Sequence, residues 1–258
     1  MAYDTLTLEH DGPVARVWLN RPERLNALNA TALEEIAAVF TELQRAYATP
    51  IVVLGGRGRA FCAGADRKDP PSRLVRGGDA TARERRHAAQ VGRRALEAIE
   101  GCEAITLARL HGHVVGGGLA LALACDLRIA AASAQFHIPE VDLGLPLGWG
   151  ATPRLAREIG MARAKELILL CERFPAETAR QYGLLNRIVA DDALDTVVAD
   201  WATRLAAKPA WALHMAKTQF RAYAQAVPTG DVTEMDGDLI LAAASEDPTR
   251  FLFPERPR

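Results

Sequence analysis

The chain has 258 residues, of which 49% are hydrophobic and 24% are charged, with a formal net charge of -1. A chain of this size buries one sizeable core, and its near-neutral charge gives no long-range attraction for nucleic acid. The four cysteines form neither a C-x-x-C pair nor a metal pattern with histidine, which is typical of reduced thiols. Reduced thiols suit a cytoplasmic protein, and we also expect no secretory signal, no membrane span and no bound metal.

Short β-rich runs alternate with helical spacing along the first 190 or so residues. The predicted strands are 14–20, 51–55, 105–110, 127–131 and 185–189. A first helix is predicted over 33–47 from apolar residues at three- and four-residue steps, and Thr31 to Glu34 fits a capping box at its start. A second helix, apolar on all sides, is predicted from Gly117 to Cys125. This order of elements predicts an α/β fold.

Beyond about Asp191 the strand signals end and helical patterns cover 194–206, 211–223 and 238–244. A shorter helix over 176–182 stops before Gly183, which suits a left-handed cap. We therefore expect a core over residues 1–192 and a helical C-terminal lobe over residues 193–258. The basic stretch 67–94 predicts a mobile loop leading into a helix, and it fits either a solvated face or a substrate-side lid.

Two glycine-containing segments indicate a site, one over 61–66 and one over 111–119. The triple glycine Gly116–Gly118 does not complete G-x-G-x-x-G, and no P-loop follows. Glycines that open an apolar helix leave unpaired N–H groups without obstructing side chains, so a developing anion can approach closely. Tight packing is the alternative interpretation of such glycines.

Four collinear segments carry a family resemblance over nearly all of the chain. They are Asn20-Arg-Pro-Glu-Arg-Leu-Asn-Ala-Leu28, Phe61-Cys-Ala-Gly-Ala-Asp66, Gly112-His-Val-Val-Gly-Gly-Gly118 and the segment from Ala134 to Leu145 that contains Pro139-Glu140. Together they resemble the motifs of the crotonase (enoyl-CoA hydratase/isomerase) superfamily. The resemblance implies a spiral of strand-strand-helix turns with a helical C-terminal lobe, an acyl-CoA substrate that itself brings coenzyme A, and a homotrimer or homohexamer.

The resemblance also implies roles for individual residues. The backbone N–H groups of Ala65 and Gly117 would form an oxyanion hole for the thioester oxygen, and Glu140 would be the acid/base. The residues that would contact coenzyme A are Arg24, Leu25, Ala27, Ala63, Asp66 and Arg67. Ile138, Pro139 and Val141 surround Glu140 in the sequence, so an apolar pocket is expected to raise its pKa towards neutrality.

One position departs from the family pattern. Ala120 stands where hydratases of this family have their first catalytic glutamate, so a single carboxylate remains. Three functions stay open: a hydratase or hydratase-lyase that works with Glu140 alone, a Δ3,Δ2-enoyl-CoA isomerase, and a non-catalytic acyl-CoA binder. Two further residues have no settled role. Trp149 fits either a pocket wall or the core, and Arg109, in an otherwise apolar strand, suggests an ion pair with an unnamed partner.

Overall fold

The computed structural model describes residues 3–71, 80–226 and 235–246. The strands are β1 (Leu6–Asp11), β2 (Val14–Leu19), β3 (Ile51–Gly56), β4 (Ile105–Leu110), β5 (His113–Val115), β6 (Leu127–Ala131), β7 (Gln135–His137), β8 (Phe174–Pro175) and β9 (Arg187–Val189). The helices are α1 (Ala30–Leu43), α2 (Ala82–Ala89), α3 (Val91–Gly101), α4 (Gly117–Ala124), α5 (Ala151–Ile159), α6 (Met161–Leu170), α7 (Ala176–Gln181), α8 (Leu194–Ala206), α9 (Ala210–Ala226) and α10 (Met235–Glu246).

The strands form two sheets that the chain visits in turn. The larger sheet has the order β1-β2-β3-β4-β6-β9, parallel except for the β1-β2 hairpin, and the smaller has the order β5-β7-β8. Strand β4 in the large sheet is followed by β5 in the small sheet and then by α4; β6 and β7 repeat this order. The predicted α/β spiral of strand-strand-helix turns is therefore present, and the described residues from Leu194 onwards lie mainly in the helices α8, α9 and α10.

Each face of the large sheet has its own apolar layer. On one face α1, α3 and α4 complete the main core, in which Leu33, Phe40 and Leu96 are fully buried. On the other face Ile51, Leu107, Ile129 and neighbouring strand residues pack against α8. Helix α8 contributes Leu194, Val198 and Ala202 to this second layer. The sheet is thus covered on both sides, as parallel sheets require.

Helix α9 is fixed to the sheet by a buried lysine. The Nζ of Lys217 donates to the carbonyl oxygen of Ala104 and to a carboxylate oxygen of Asp126, both at 2.8 Å. The same Asp126 oxygen accepts from the backbone N–H of Thr106 at 2.7 Å and from its hydroxyl at 2.8 Å. A buried charge is tolerated because it is paired and hydrogen-bonded in this way.

The start of α1 differs from the sequence prediction. Asn29 is the N-cap residue, and its side-chain oxygen accepts from the backbone N–H of Ala32 at 2.9 Å. The prediction of a capping box at Thr31 was wrong, because Asn29 is an equally good cap and takes the extended backbone conformation that capping needs. The helix also ends at Leu43 rather than near Tyr47.

The remaining sequence predictions meet the structure as follows. Residues 72–79 of the basic stretch lie outside the described residues, and the helix predicted after them is α2, which begins with a capping box of Thr81 and Glu84. Arg109 pairs with Asp195 of α8 at 2.5 Å. Within the described parts of the chain, no helix combines the length and apolarity needed to cross a bilayer.

Candidate active site

The first motif segment is organised around Asn26, which is buried and has a left-handed backbone (φ 55°). Its side-chain oxygen accepts from the backbone N–H of Arg21 at 2.9 Å. Its amide nitrogen donates to the carbonyl oxygens of Arg57 and Ala60, both at 2.8 Å. Asparagine tolerates this backbone conformation better than most residues, and its amide both donates and accepts. Asn26 therefore ties this segment to the start of the loop over 61–66.

The same loop is paired to Leu28 on one side. The N–H of Leu28 donates to the carbonyl oxygen of Gly64, and the N–H of Asp66 donates to the carbonyl oxygen of Leu28, both at 2.8 Å. The backbone of Ala65 lies between these two hydrogen bonds, in a bridge with Leu28. Its position is therefore fixed by main-chain contacts, independently of its side chain.

On its other side the loop runs parallel to the segment that opens α4. Cys62 forms a parallel bridge with Val114, so three residues further along each strand the chain reaches Ala65 and Gly117. A Cβ added to Gly64 would lie 3.7 Å from the backbone nitrogen of Gly117, which shows how closely the two segments approach. The register of this bridge brings the two predicted oxyanion-hole residues together.

The next feature of the site is the hydrogen bonding of the two predicted donors. Among the described residues, the N–H groups of Ala65 and Gly117 find no hydrogen-bond acceptor. Gly117 is the first residue of α4, so its N–H belongs to the positive end of a buried helix. Two such donors side by side can stabilise negative charge that develops on a carbonyl oxygen.

Glu140 lies against the same helix end. A Cβ added to Gly116 would overlap Oε1 of Glu140, so a side chain there would displace the carboxylate from its present position. Gly116 also has a positive φ of 48°, which favours glycine. The Oε2 atom is buried and has no hydrogen-bond partner within the described residues. Burial raises the pKa of Glu140 to about 7, against a smaller lowering effect of its own backbone N–H, in agreement with the sequence prediction.

Trp149 packs against the next residue of the helix. A Cβ on Gly117 would overlap the far edge of the Trp149 ring, and a Cβ on Gly92 of α3 would overlap its other side. The backbone of Trp149 is left-handed, with a φ of 60°. The ring is partly buried and packs against the main core. It therefore belongs to the core and also borders the site, which combines the two interpretations left open by the sequence.

Helix α4 itself carries no carboxylate. Its sequence is GGLALALA, and Ala120 is buried. The position of the family's first glutamate is thus filled by a methyl group that packs in the main core. Of the two positions where hydratases of the family carry a glutamate, only the one at Glu140 has a carboxylate in this chain. Within the described ranges, no three His, Cys, Asp or Glu side chains are grouped so that they could hold a metal ion.

The residues predicted to contact coenzyme A lie in or beside the loop over 61–66. The side chains of Arg24 and Arg67 are exposed. The carbonyl oxygen of Leu25 accepts from the N–H of Ala63 at 3.0 Å. The carbonyl oxygen of Ala27 accepts from the guanidinium of Arg21 at 2.5 Å.

Asp66 is held differently from the other predicted contacts. Its carboxylate forms an ion pair with Arg21 at 2.9 Å and accepts from the N–H groups of Lys68 and Asp69 at 3.0 and 3.2 Å. Burial alone would raise its pKa, but these hydrogen bonds and Arg21 outweigh burial and lower it. The carboxylate and the backbone N–H of Asp66 are therefore both engaged inside the protein.

Sequence reasoning missed several residues that shape the site. Gly116 was treated as one of three equivalent glycines, whereas it alone makes room for the carboxylate of Glu140. Asn26 was quoted in a motif without a role. The signal that could have found both is the same: a residue type that tolerates positive φ, next to a predicted turn.

The comparisons with known proteins agree with this geometry. The family model described as "Enoyl-CoA hydratase/isomerase" matches residues 9–250. The chain therefore belongs to the enoyl-CoA hydratase/isomerase family, the crotonase superfamily.

Individual relatives are similar over most of their length. The chain is 33% identical over 247 residues to the short-chain-enoyl-CoA hydratase of Clostridium acetobutylicum, covering 95% of this chain and 88% of the relative. It is 34% identical over 218 residues to the crotonyl-CoA hydratase of Syntrophomonas wolfei, covering 84% and 81%. Among solved structures, an enoyl-CoA hydratase/carnithine racemase from Magnetospirillum magneticum superposes with a TM-score of 0.81 at 32% identity, covering 90% of this chain and 85% of that one.

Proposed function

We propose that this protein is an enoyl-CoA hydratase that uses Glu140 as its single acid/base. The observation that carries the proposal is the arrangement at the start of α4. The carboxylate of Glu140 lies against Gly116, the next residue is Gly117 with its N–H, and the Ala65 backbone lies alongside. A thioester oxygen held by the two N–H groups would place the adjacent carbons beside the carboxylate. A carboxyl with a pKa near 7 can both take and return a proton at neutral pH.

The reaction would run in two balanced steps. Glu140 removes a proton from water as the water oxygen bonds to the β-carbon, and the electrons of the double bond move towards the thioester oxygen. The N–H groups of Ala65 and Gly117 hold the resulting enolate. Glu140 then returns the proton to the α-carbon. Loss of one such donor typically costs about 3 kcal/mol of transition-state stabilisation in comparable sites.

A Δ3,Δ2-enoyl-CoA isomerase is the second candidate. The observation that favours it is Ala120, because α4 lacks a carboxylate to share the handling of water. In that reaction Glu140 would take a proton from the α-carbon of a 3-enoyl-CoA and return it to the γ-carbon, through the same enolate. The oxyanion hole would act in the same way, so the geometry alone supports both reactions.

The test is to incubate the pure protein with crotonyl-CoA and, separately, with a 3-enoyl-CoA, and to measure product mass and thioester absorbance. Hydration adds one water to the mass, whereas isomerisation leaves the mass unchanged and produces conjugated-thioester absorbance. Glu140→Gln is expected to lower kcat by roughly 10²- to 10⁴-fold, because the amide cannot carry the proton. Binding of butyryl-CoA, measured by calorimetry, is expected to persist.

The matched control is Asp142→Asn, which removes an exposed carboxylate two residues further on. It is expected to keep the activity of the unsubstituted protein. Near-normal turnover by Glu140→Gln would contradict the role of Glu140. Binding of CoA esters without turnover of any of them would instead favour the non-catalytic acyl-CoA binder.

Coenzyme A and assembly complete the proposal. Arg24 and Arg67 would contact the phosphates, while backbone atoms of Leu25, Ala27, Ala63 and Asp66 would line the rest of the coenzyme A site. The helices within residues 193–258 would join copies of the chain into a homotrimer or homohexamer. Exposed Trp211, Phe220 and Tyr223 on α9 support an interface there. Light scattering after size exclusion would measure the oligomeric state.

A further inference from the structure

Trp149 is held in a conformation that costs free energy. Its φ of 60° is unusual for a bulky residue, and such a strained backbone persists only when the surroundings impose it. Gly150 follows with a φ of 73°, so two successive residues are left-handed. This loop, over 148–150, must therefore be fixed by contacts from other elements.

Two helices make room for the ring. Gly92 lies within α3 and Gly117 begins α4, and a side chain on either would overlap the Trp149 ring. Gly92 does not have a positive φ, so its glycine is explained by the ring and not by its backbone. Glycine inside a helix is destabilising relative to alanine. The indole thus fills the gap between α3 and α4 beside the oxyanion-hole residue.

A third helix holds the loop from outside. The carboxylate of Asp236, in the first turn of α10, accepts from the backbone N–H of Gly150 at 2.5 Å. The next residue, Gly237, packs against Gln90, where an added Cβ would lie 2.6 Å from the side-chain nitrogen. Asp238 then pairs with Arg86 at 3.1 Å. The start of α10 is therefore fastened at three consecutive residues, and one of them contacts the Trp149 loop directly.

We propose that Trp149 restricts the substrate to short acyl groups, and that Asp236 is the positioning residue that keeps the ring in place. The inference rests on the proposed function for the location of the thioester. With the carbonyl at Gly117 and the α-carbon near Glu140, an acyl chain that extends towards α3 meets the indole. A longer chain would need the space that the ring occupies, and a rigid aromatic ring does not yield as a methionine would.

The restriction of acyl length by the Trp149 ring is tested with Trp149→Ala, assayed by kcat/KM on crotonyl-CoA and on 2-decenoyl-CoA. The unsubstituted protein is expected to favour crotonyl-CoA. The variant is expected to raise the decenoyl-to-crotonyl ratio by about 10-fold or more, since a few methylene groups in an apolar pocket discriminate by that much. If Trp149→Ala does not fold, Trp149→Phe replaces it, with a smaller shift in the same direction. A ratio that stays within about twofold overturns the inference.

Asp236 is tested by a conservative pair. Asp236→Ala removes the acceptor for the Gly150 N–H and is expected to raise the decenoyl-to-crotonyl ratio several-fold. Asp236→Asn keeps an oxygen that can accept this bond and is expected to restore the original ratio. Asp238→Ala is the matched control, because it removes the exposed pair with Arg86 two residues away. Equal effects of Asp236→Ala and Asp238→Ala on the ratio would mean that α10 acts only as structural support, and would overturn the positioning role.

Binding separates this inference from the proposed function. The dissociation constants of the saturated butyryl-CoA and decanoyl-CoA test the wall without any turnover. If no enoyl-CoA is converted but Trp149→Ala selectively tightens decanoyl-CoA, the proposed hydratase fails and the acyl-length restriction stands. If crotonyl-CoA is hydrated but the butyryl-to-decanoyl preference is the same in Trp149→Ala, the hydratase stands and the restriction fails.

Discussion

The two sides of the candidate site are held in opposite ways. The loop that carries Ala65 is fixed by the three hydrogen bonds of Asn26 and by the pair of Arg21 with Asp66. On the other side, Glu140 is partly buried, its buried Oε2 lacks a partner among the described residues, and its pKa is raised to about 7.

The difference follows from what each side would have to do. Backbone donors stabilise a developing charge best when they are already in place, so their loop gains from many fixed contacts. An acid/base must exist in both protonation states, so hydrogen bonds that favoured its charged form would lower its pKa and weaken it as a base. Three substitutions test this contrast, starting with the largest expected effect.

Asn26→Ala is expected to lower the free energy of unfolding by about 4 kcal/mol, because it leaves one buried carbonyl, one partly buried carbonyl and one N–H without partners. Asn26→Gly loses the same hydrogen bonds, but glycine adopts the left-handed backbone without strain. Its loss in the free energy of unfolding is therefore expected to be about 1 kcal/mol smaller. Urea unfolding measures both.

The matched control is Asn20→Ala, an exposed asparagine of the same motif, for which a change within about 0.5 kcal/mol is expected. If Asn26→Ala were no worse than this control, the loop would not depend on the Asn26 hydrogen bonds, and the contrast between the two sides would fail.

Glu140→Gln is expected to stabilise the protein at pH 8 by up to about 3 kcal/mol, the free energy that corresponds to a rise of the carboxyl pKa from 4.5 to about 7. Between these two values the folded protein retains a proton that the unfolded chain has released. The free energy of unfolding of the unsubstituted protein therefore falls as pH rises through this window. Below about pH 4.5 both forms are neutral and the difference should vanish. A pH series of unfolding curves gives the answer, and a destabilising effect at pH 8 would contradict it.

Asp66→Asn is expected to have the smallest effect of the three, a loss of about 2 kcal/mol at pH 7, because the amide oxygen can still accept from Lys68 and Asp69 while the pair with Arg21 is lost. The lowered pKa of Asp66 gives the opposite pH dependence to that of Glu140. Its contribution is complete above pH 3.8 and disappears as pH falls through the lower, folded-state pKa. A loss that persists in strong acid would argue for packing and not for charge.

Much of the fold and part of the site could be predicted from the sequence. Strand alternation, the apolar helix after the triple glycine and four collinear motifs together indicated the spiral, which the structure and the comparisons confirm. The direction of the pKa shift of Glu140 was predicted correctly, but only part of the reason holds, because Ile138 is buried whereas Val141 is exposed. The roles of Ala65, Gly117 and Glu140 themselves remain predictions until activity is measured.

The features that could not be predicted depend on residues far apart in the chain. Asp236 contacts a backbone group 86 residues away, and the Trp149 ring separates two helices whose glycines look unrelated in sequence. The partner of Arg109 is Asp195, also 86 residues distant. The cap of α1 was misplaced for a local reason, since Asn29 and Thr31 are both good caps and the backbone conformation decides between them.

The large sheet is covered on both faces, and this has a consequence for the synthesis of the protein. Ribosomes deliver residues in order, at about 5–20 per second. The last strand of the large sheet ends at Val189, but the apolar face opposite α1 is covered by α8, which ends at Ala206. For roughly one to three seconds per chain, that face is therefore synthesised but has no cover. Burial of this apolar layer is a late step of synthesis, and the new chain is most exposed to association with its neighbours just before α8 arrives.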